Sequence, residues 1–149
     1  MTKPNQWTCD LCHKSIKSAA EGYVVWKDPA GLHNAHDIMI IHQAKCDPGS
    51  GAGYASSYPL TEFLGTDGLT TLLSWLSVGP IYGPSEITPT VRDLDEFVDF
   101  VRRVQIPYYE EARPHFGEEK VQHALGDASE SYPYHPDVLK RIADGTVGE

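Results

Sequence analysis

Two short stretches, CDLC at Cys9–Cys12 and HQAKC at His42–Cys46, decide the fold of the first part of this 149-residue chain. Two residues between paired cysteines let the backbone turn so that both sulfurs face one ion, and Zn²⁺ takes about four nitrogen or sulfur ligands in a tetrahedron. The histidine and cysteine of the second stretch complete that set, which then uses all three cysteines of the chain. We therefore predict one structural zinc ion bound by Cys9, Cys12, His42 and Cys46.

These stretches resemble zinc-ribbon and treble-clef zinc fingers. The knuckle CDLCHK, a hairpin and a His/Cys pair are similar to the first zinc site of LIM-type modules, and the similarity covers residues 7–46. The chain departs from the LIM pattern because 29 residues separate Cys12 from His42 and three residues lie inside the second pair. The resemblance implies the ligand roles and the structural character of the site. It does not extend to residues 60–149.

The sequence between the two stretches predicts a β-hairpin. Residues 22–27 (GYVVWK) and 37–42 (DIMIIH) are apolar runs of strand length, and residues 28–31 (DPAG) have strong turn chemistry. If the two runs pair, they bring the knuckle close to the second ligand pair. Residues 47–59 are rich in Gly, Ser and Pro, which predicts a linker or loop.

Beyond residue 60 the apolar residues recur at helical spacing, which predicts a series of helices. The two clearest stripes are Leu69, Leu72, Leu73 and Leu76, and then Leu94, Phe97, Val98 and Val101. Shorter helices are expected at 118–125, ended by Gly126, and at 136–144, begun by Pro136 and ended by Gly145.

The expected fold class is therefore α+β, a small zinc-stapled β-hairpin module followed by a mainly α-helical lobe. We assign residues 1–46 to the zinc-binding module and 47–59 to the linker. Residues 60–149 form an acidic helical region that packs on the module as one compact unit. A hairpin of this size is marginally stable alone, so the zinc ion is expected to contribute folding energy directly.

The charge is unevenly distributed along the chain, whose formal net charge is −9. Residues 1–50 carry five Lys and five Asp or Glu, whereas residues 51–149 carry seven Lys or Arg and sixteen Asp or Glu. Such an acidic field repels phosphate backbones, which speaks against nucleic-acid binding by the second part. The sequence has no apolar run of membrane-spanning length and no signal-peptide pattern, so we expect a cytoplasmic protein with reduced thiols.

Other interpretations of the site remain open at this stage. His33 or His36 could replace His42 as the fourth ligand if the chain bends differently, and iron could replace zinc. CDLCH also matches the c-type haem motif, with Met39 as a second axial ligand, but that interpretation leaves Cys46 without a role. A redox-active CxxC would need a βαβ context, whereas a strand pattern follows here.

A nuclease of the HNH type is the enzymatic alternative. His33, His36 and Asp37 could hold a catalytic divalent ion, and such proteins often carry a structural zinc. The helix that should follow with the last ligand is missing, because residues 47–59 are loop-like and the next histidine is His115. A polar turn between two strands explains the same residues more simply.

The resulting functional expectation is a non-enzymatic protein-interaction or regulatory module with a protein partner. The main alternative is nucleic-acid binding by the N-terminal module, without or with HNH-like activity. Its basis is a set of basic residues interleaved with aromatic residues, the combination that single strands require. That set consists of Lys14, Lys17, Lys27 and Lys45 with Trp7, Tyr23 and Trp26.

Overall fold

The computed structural model describes residues 3–29, 34–82 and 90–149 and confirms the α+β class. Its strands are β1 (Trp7–Thr8), β2 (Ser15–Ile16), β3 (Gly22–Lys27), β4 (Asn34–His42), β5 (Ser56–Pro59) and β6 (Thr90–Val91). Its α-helices are α1 (Gly65–Ser74), α2 (Leu94–Gln105), α3 (Tyr109–Ala112), α4 (Glu119–Leu125) and α5 (Pro136–Asp144). The chain divides into two compact units, here called the N-terminal unit (Asn5–Gln105) and the C-terminal unit, which consists of Ile106–Glu149 together with the residues before Asn5.

The predicted hairpin is present as β3 and β4, which pair antiparallel with Gly22 opposite His42. Strand β4 begins at Asn34, earlier than the predicted run at residue 37, and part of the predicted turn lies outside the described residues. The sheet continues beyond this hairpin in the order β5-β3-β4-β6. Strand β5 comes from the stretch assigned to the linker and pairs antiparallel with β3, while β6 runs parallel to β4.

An aromatic cluster packs the sheet of the N-terminal unit against its two helices. Trp26 on β3 lies 4.7 Å from Trp75, centroid to centroid, and 6.3 Å from Phe63. Phe63 in turn meets Phe100 of α2 edge to face at 5.3 Å. Aromatic pairs at these separations are stabilising beyond the area they bury. The apolar stripe predicted on α2 is buried only in part, because Phe97 is buried whereas Leu94 is exposed.

Helix α1 is rotated relative to the predicted leucine stripe. Of the four leucines only Leu72 is buried, and Leu69, Leu73 and Leu76 remain exposed. The buried face instead contains Gly68 and Leu72, because α1 begins directly after the 3₁₀ turn Leu60–Phe63 and lies against its backbone. A Cβ at Gly68 would lie 2.0 Å from the carbonyl carbon of Phe63, so only glycine allows this approach.

Gly68→Ala should therefore destabilise the N-terminal unit by about 2 kcal/mol or more, since the added methyl group must displace backbone rather than a flexible side chain. The matched control is Gly51→Ala, where a Cβ would meet nothing within 4 Å, and this change should be neutral or slightly stabilising. Urea unfolding followed by tryptophan fluorescence measures both. Equal stability of the two variants would show that α1 can move away from Phe63 at little cost.

The C-terminal unit has its own core. Helices α4 and α5 agree with the predicted ranges to within one residue, and α5 ends at Gly145 in the left-handed conformation (φ 75°). Tyr109 is buried among Val138, Leu139 and Ile142 and meets Phe116 at 5.3 Å, centroid to centroid. Across the described parts of the chain, no helix is both long enough and apolar enough to cross a membrane.

Candidate metal centre

Cys9 and Cys12 lie in the tight turn between β1 and β2, whose register pairs Thr8 with Ser15. The N–H of Cys9 donates to the carbonyl of Lys14 at 2.9 Å, and the N–H of His13 donates back to the carbonyl of Cys9 at 2.9 Å. His13 adopts a left-handed conformation (φ 62°), which reverses the chain just after the second cysteine. The knuckle predicted from the CDLC spacing is therefore formed by the backbone itself.

The second pair is presented by the end of β4 and the turn that follows it. His42 is the last residue of the strand, and the N–H of Cys46 donates to its carbonyl at 3.3 Å. The turn passes through Ala44 in a left-handed conformation (φ 62°). The first residue of this turn is fixed by a 2.8 Å hydrogen bond from the N–H of Gln43 to the carbonyl of Glu21.

The structure brings all four predicted residues together into one Cys₃His group. The Sγ atoms of Cys9, Cys12 and Cys46 and a ring nitrogen of His42 all lie within 4.8 Å of one another. The Nδ1 atom of His42 is 3.4 Å from Sγ of Cys12 and 3.8 Å from Sγ of Cys46. A tetrahedral zinc site with bonds of about 2.3 Å to sulfur and about 2.0–2.1 Å to nitrogen has sulfur–nitrogen edges of roughly 3.5 Å. The group therefore fits a metal ion of this size.

The imidazole of His42 is oriented by a carbonyl group on its far side. Its Nε2 atom lies 3.1 Å from the carbonyl oxygen of Ser15, to which an Nε2–H donates. A proton on Nε2 leaves the lone pair of Nδ1 directed at the three sulfurs. This carbonyl–imidazole arrangement commonly fixes the tautomer of a metal-bound histidine.

The thiols of Cys9 and Cys46 differ in burial and in acidity. Cys9 is fully buried, and burial alone would raise the pKa of its thiol, but the backbone N–H groups of Cys12 and Leu11 lower that pKa to about 6. Burial and the neighbouring sulfurs of Cys9 and Cys12 raise the pKa of Cys46 to about 11. The neighbouring sulfurs therefore disfavour a thiolate at Cys46, and a bound cation would offset that effect.

Asp10, between the two cysteines, ties the knuckle to the rest of the N-terminal unit. Its carboxylate accepts from the N–H of Ile40 on β4 and from Nη1 of Arg103 on α2, each at 2.8 Å, and its own N–H donates to the carbonyl of Ile40. Nη2 of Arg103 donates to the carbonyl of Thr8 at 3.1 Å, and Nε1 of Trp7 donates to the carbonyl of Arg103 at 3.0 Å.

Sequence reasoning missed the roles of Asp10 and Arg103. The two residues are 93 positions apart, and no local pattern joins them. The one available signal is that Arg103 lies next to Val104 and one turn from Phe100, on what proves to be the buried face of α2.

His36, the proposed substitute ligand, lies outside the Cys₃His group. Its Nδ1 atom is 3.2 Å from a carboxylate oxygen of Asp37 and 3.3 Å from Nη1 of Arg92. These residues line an open polar cavity of about 510 Å³ together with Glu96, whose carboxyl pKa is raised by burial and by the charge of Asp37. The other proposed substitute and nuclease residue, His33, lies outside the described residues.

Two of the aromatic residues of the nucleic-acid alternative are engaged within the N-terminal unit. Trp7 is buried and hydrogen-bonded to Arg103, whereas Trp26 is partly buried and contacts Phe63 and Trp75. The Trp7 indole is therefore closed to stacking on a base, and the Trp26 indole is only partly exposed. Cys46, which the haem interpretation left without a role, belongs to the Cys₃His group.

Comparisons of this chain with protein-family models, with curated proteins and with solved structures each gave no significant match. The likeness to zinc fingers therefore rests on the knuckle, the second ligand pair and the geometry that joins them.

Proposed function

We propose that this chain is a non-enzymatic protein-interaction or regulatory module whose N-terminal unit is held in shape by one structural zinc ion. The observation that carries the proposal is the closed Cys₃His group, whose four donor atoms lie within 4.8 Å of one another. Catalytic zinc sites keep one position open for water or substrate, whereas structural sites fill all four with protein ligands. Four protein donors here would leave no such open position.

The chemistry of the donors favours zinc over the hard cations. Three thiolates and one imidazole form a soft tetrahedral set, which suits Zn²⁺ and does not suit Mg²⁺ or Ca²⁺. The hydrogen bond from His42 to Ser15 and the knuckle bonds of Cys9 turn the donors toward one another. When bound, the ion would join β1, β2 and the end of β4, elements that are short or lie at chain turns.

The test is elemental analysis of the purified protein, paired with an assay for metal-dependent hydrolysis of nucleic acid. We expect one zinc per chain, a colourless solution and no hydrolysis. Iron with visible colour would overturn the assignment of the metal. A metal-dependent hydrolysis that is abolished by His36→Ala would overturn the non-enzymatic role, because His36 belongs to the polar cavity and not to the Cys₃His group.

Nucleic-acid binding receives less support from the contacts of this unit, because Trp7 is buried and Trp26 is partly buried against Phe63 and Trp75. Lys14, Lys17 and Lys45 are exposed near the knuckle and the second pair, so a charge-only interaction is the form that this alternative would take. Binding to a short single-stranded oligonucleotide that weakens steeply with salt would favour it over the protein-interaction role.

A further inference from the structure

Exposed apolar side chains are concentrated on α1 and on the segment that follows it. These side chains, here called the α1 surface, are Leu69 (41%), Leu73 (55%), Leu76 (39%), Val78 (39%), Ile81 (93%) and Tyr82 (78%). Leu69 and Leu73 lie one turn apart on the same side of α1, and Leu76 lies in the turn directly after the helix.

The size of the α1 surface is that of one side of a small interface. With whole-residue areas of roughly 150–250 Å² for side chains of this size, the exposed fractions leave roughly 600 Å² open to solvent. A standard interface buries about 800 Å² on each partner, and weaker interfaces bury less. A patch of this area on a monomer marks an interaction site more often than chance exposure.

Charge indicates which partner fits. No Asp, Glu, Lys or Arg occurs between Gly68 and Tyr82, whereas the whole chain carries a net charge of −9. Two copies of this chain repel one another over most of their surfaces, and the α1 surface is where they meet with the least electrostatic penalty. Its side chains are also self-complementary, since aliphatic leucine, valine and isoleucine pack on one another without requiring a specific polar partner.

We propose that the α1 surface is the site at which a second copy of this chain docks, with Leu69 and Leu73 of one α1 against the same residues of the other across a two-fold axis. This inference deepens the protein-interaction role by naming the partner, and it rests on that role. The interface is at the low end of the standard size, so it predicts a reversible monomer–dimer equilibrium rather than a permanent dimer.

The experiment is sedimentation equilibrium of the zinc-loaded chain over roughly 1–100 µM, the range expected for an interface of this area. The wild-type chain should dimerise, and Leu73→Asp should weaken dimerisation roughly 30-fold or more, as for other central interface residues. Ile81→Asp tests the same surface at a position whose replacement cannot disturb the core, because the side chain is almost fully exposed.

The matched control is Leu94→Asp. Leu94 is exposed to a similar degree (60%) but lines the polar cavity beside His36, so the same change of charge there should leave the dimer intact. A chain that stays monomeric throughout, or a dimer that Leu73→Asp and Ile81→Asp leave unchanged, overturns the inference. Zinc content measured on the same samples separates the two proposals, because a monomer that retains one zinc per chain contradicts the dimer alone.

Discussion

A strong chelator should unfold the N-terminal unit under conditions where the zinc-loaded chain is folded. Strands β1 and β2 have two residues each, and without a cross-link they are too short to be stable. They nevertheless supply Trp7 and Ile16 to the same core as Val24 and Ile40, so loss of the knuckle opens that core. Structural zinc contributes about 10–16 kcal/mol of apparent binding energy in small modules, and 1 kcal/mol moves the melting temperature of a unit of this size by about 4–8 °C. We expect a fall of at least about 20 °C.

Tryptophan fluorescence follows the unfolding of this unit selectively, because all three tryptophans (Trp7, Trp26 and Trp75) belong to it.

Two histidines on strand β4 provide matched variants. His42→Ala removes a donor and should weaken zinc binding more than about 100-fold, since even the outer partners of metal ligands are each worth 10–100-fold. His36→Ala lies on the same strand outside the group and should retain zinc. Unchanged melting after chelation would mean that the core holds the knuckle without metal.

The features that the sequence predicted well are those encoded by local spacing. The four proposed ligands come together because a CxxC turn closes on itself, and because the β3–β4 hairpin returns His42 to the level of Gly22. Helices α4 and α5 were located within one residue, because Gly126 and Gly145 mark where each helical pattern ends. In each case the decisive information lies within a few residues of the feature.

The features that the sequence did not predict depend on packing between distant segments. Strand β5 (SSYP) has no strand periodicity of its own and is a strand only because β3 offers an open edge to pair with. The orientation of α1 depends on the close approach of Gly68 to the backbone of Phe63, which leaves Leu69 and Leu73 of the predicted stripe exposed. Tertiary contact thus overrides the orientation that the periodicity predicts.

Separating Asp10 from Arg103 should destabilise the N-terminal unit strongly and asymmetrically. The pair joins the knuckle to α2 at 2.8 Å, with the side chain of Arg103 only 3% exposed and that of Asp10 23% exposed. Asp10→Asn removes the negative charge beside a buried guanidinium that keeps its contact with the carbonyl of Thr8, and loss of such a charged hydrogen bond costs about 1.5–3 kcal/mol. Arg103→Met leaves the more exposed partner, which still accepts from the N–H of Ile40, and should cost less.

The double variant Asp10→Asn/Arg103→Met shows whether the two side chains stabilise the unit as an ion pair or contribute independently to its free energy of unfolding. If the pair acts as a unit, the double variant is more stable than the sum of the single changes predicts, by about 1 kcal/mol or more. Asp95→Asn on the exposed side of α2 is the control and should cost less than about 1 kcal/mol. Denaturant unfolding of the zinc-loaded proteins gives the free energy of unfolding of all four variants.

Because Asp10 lies between two proposed ligands, zinc affinity should fall together with stability in Asp10→Asn. Strict additivity with unchanged zinc affinity would mean that α2 and the knuckle are anchored independently.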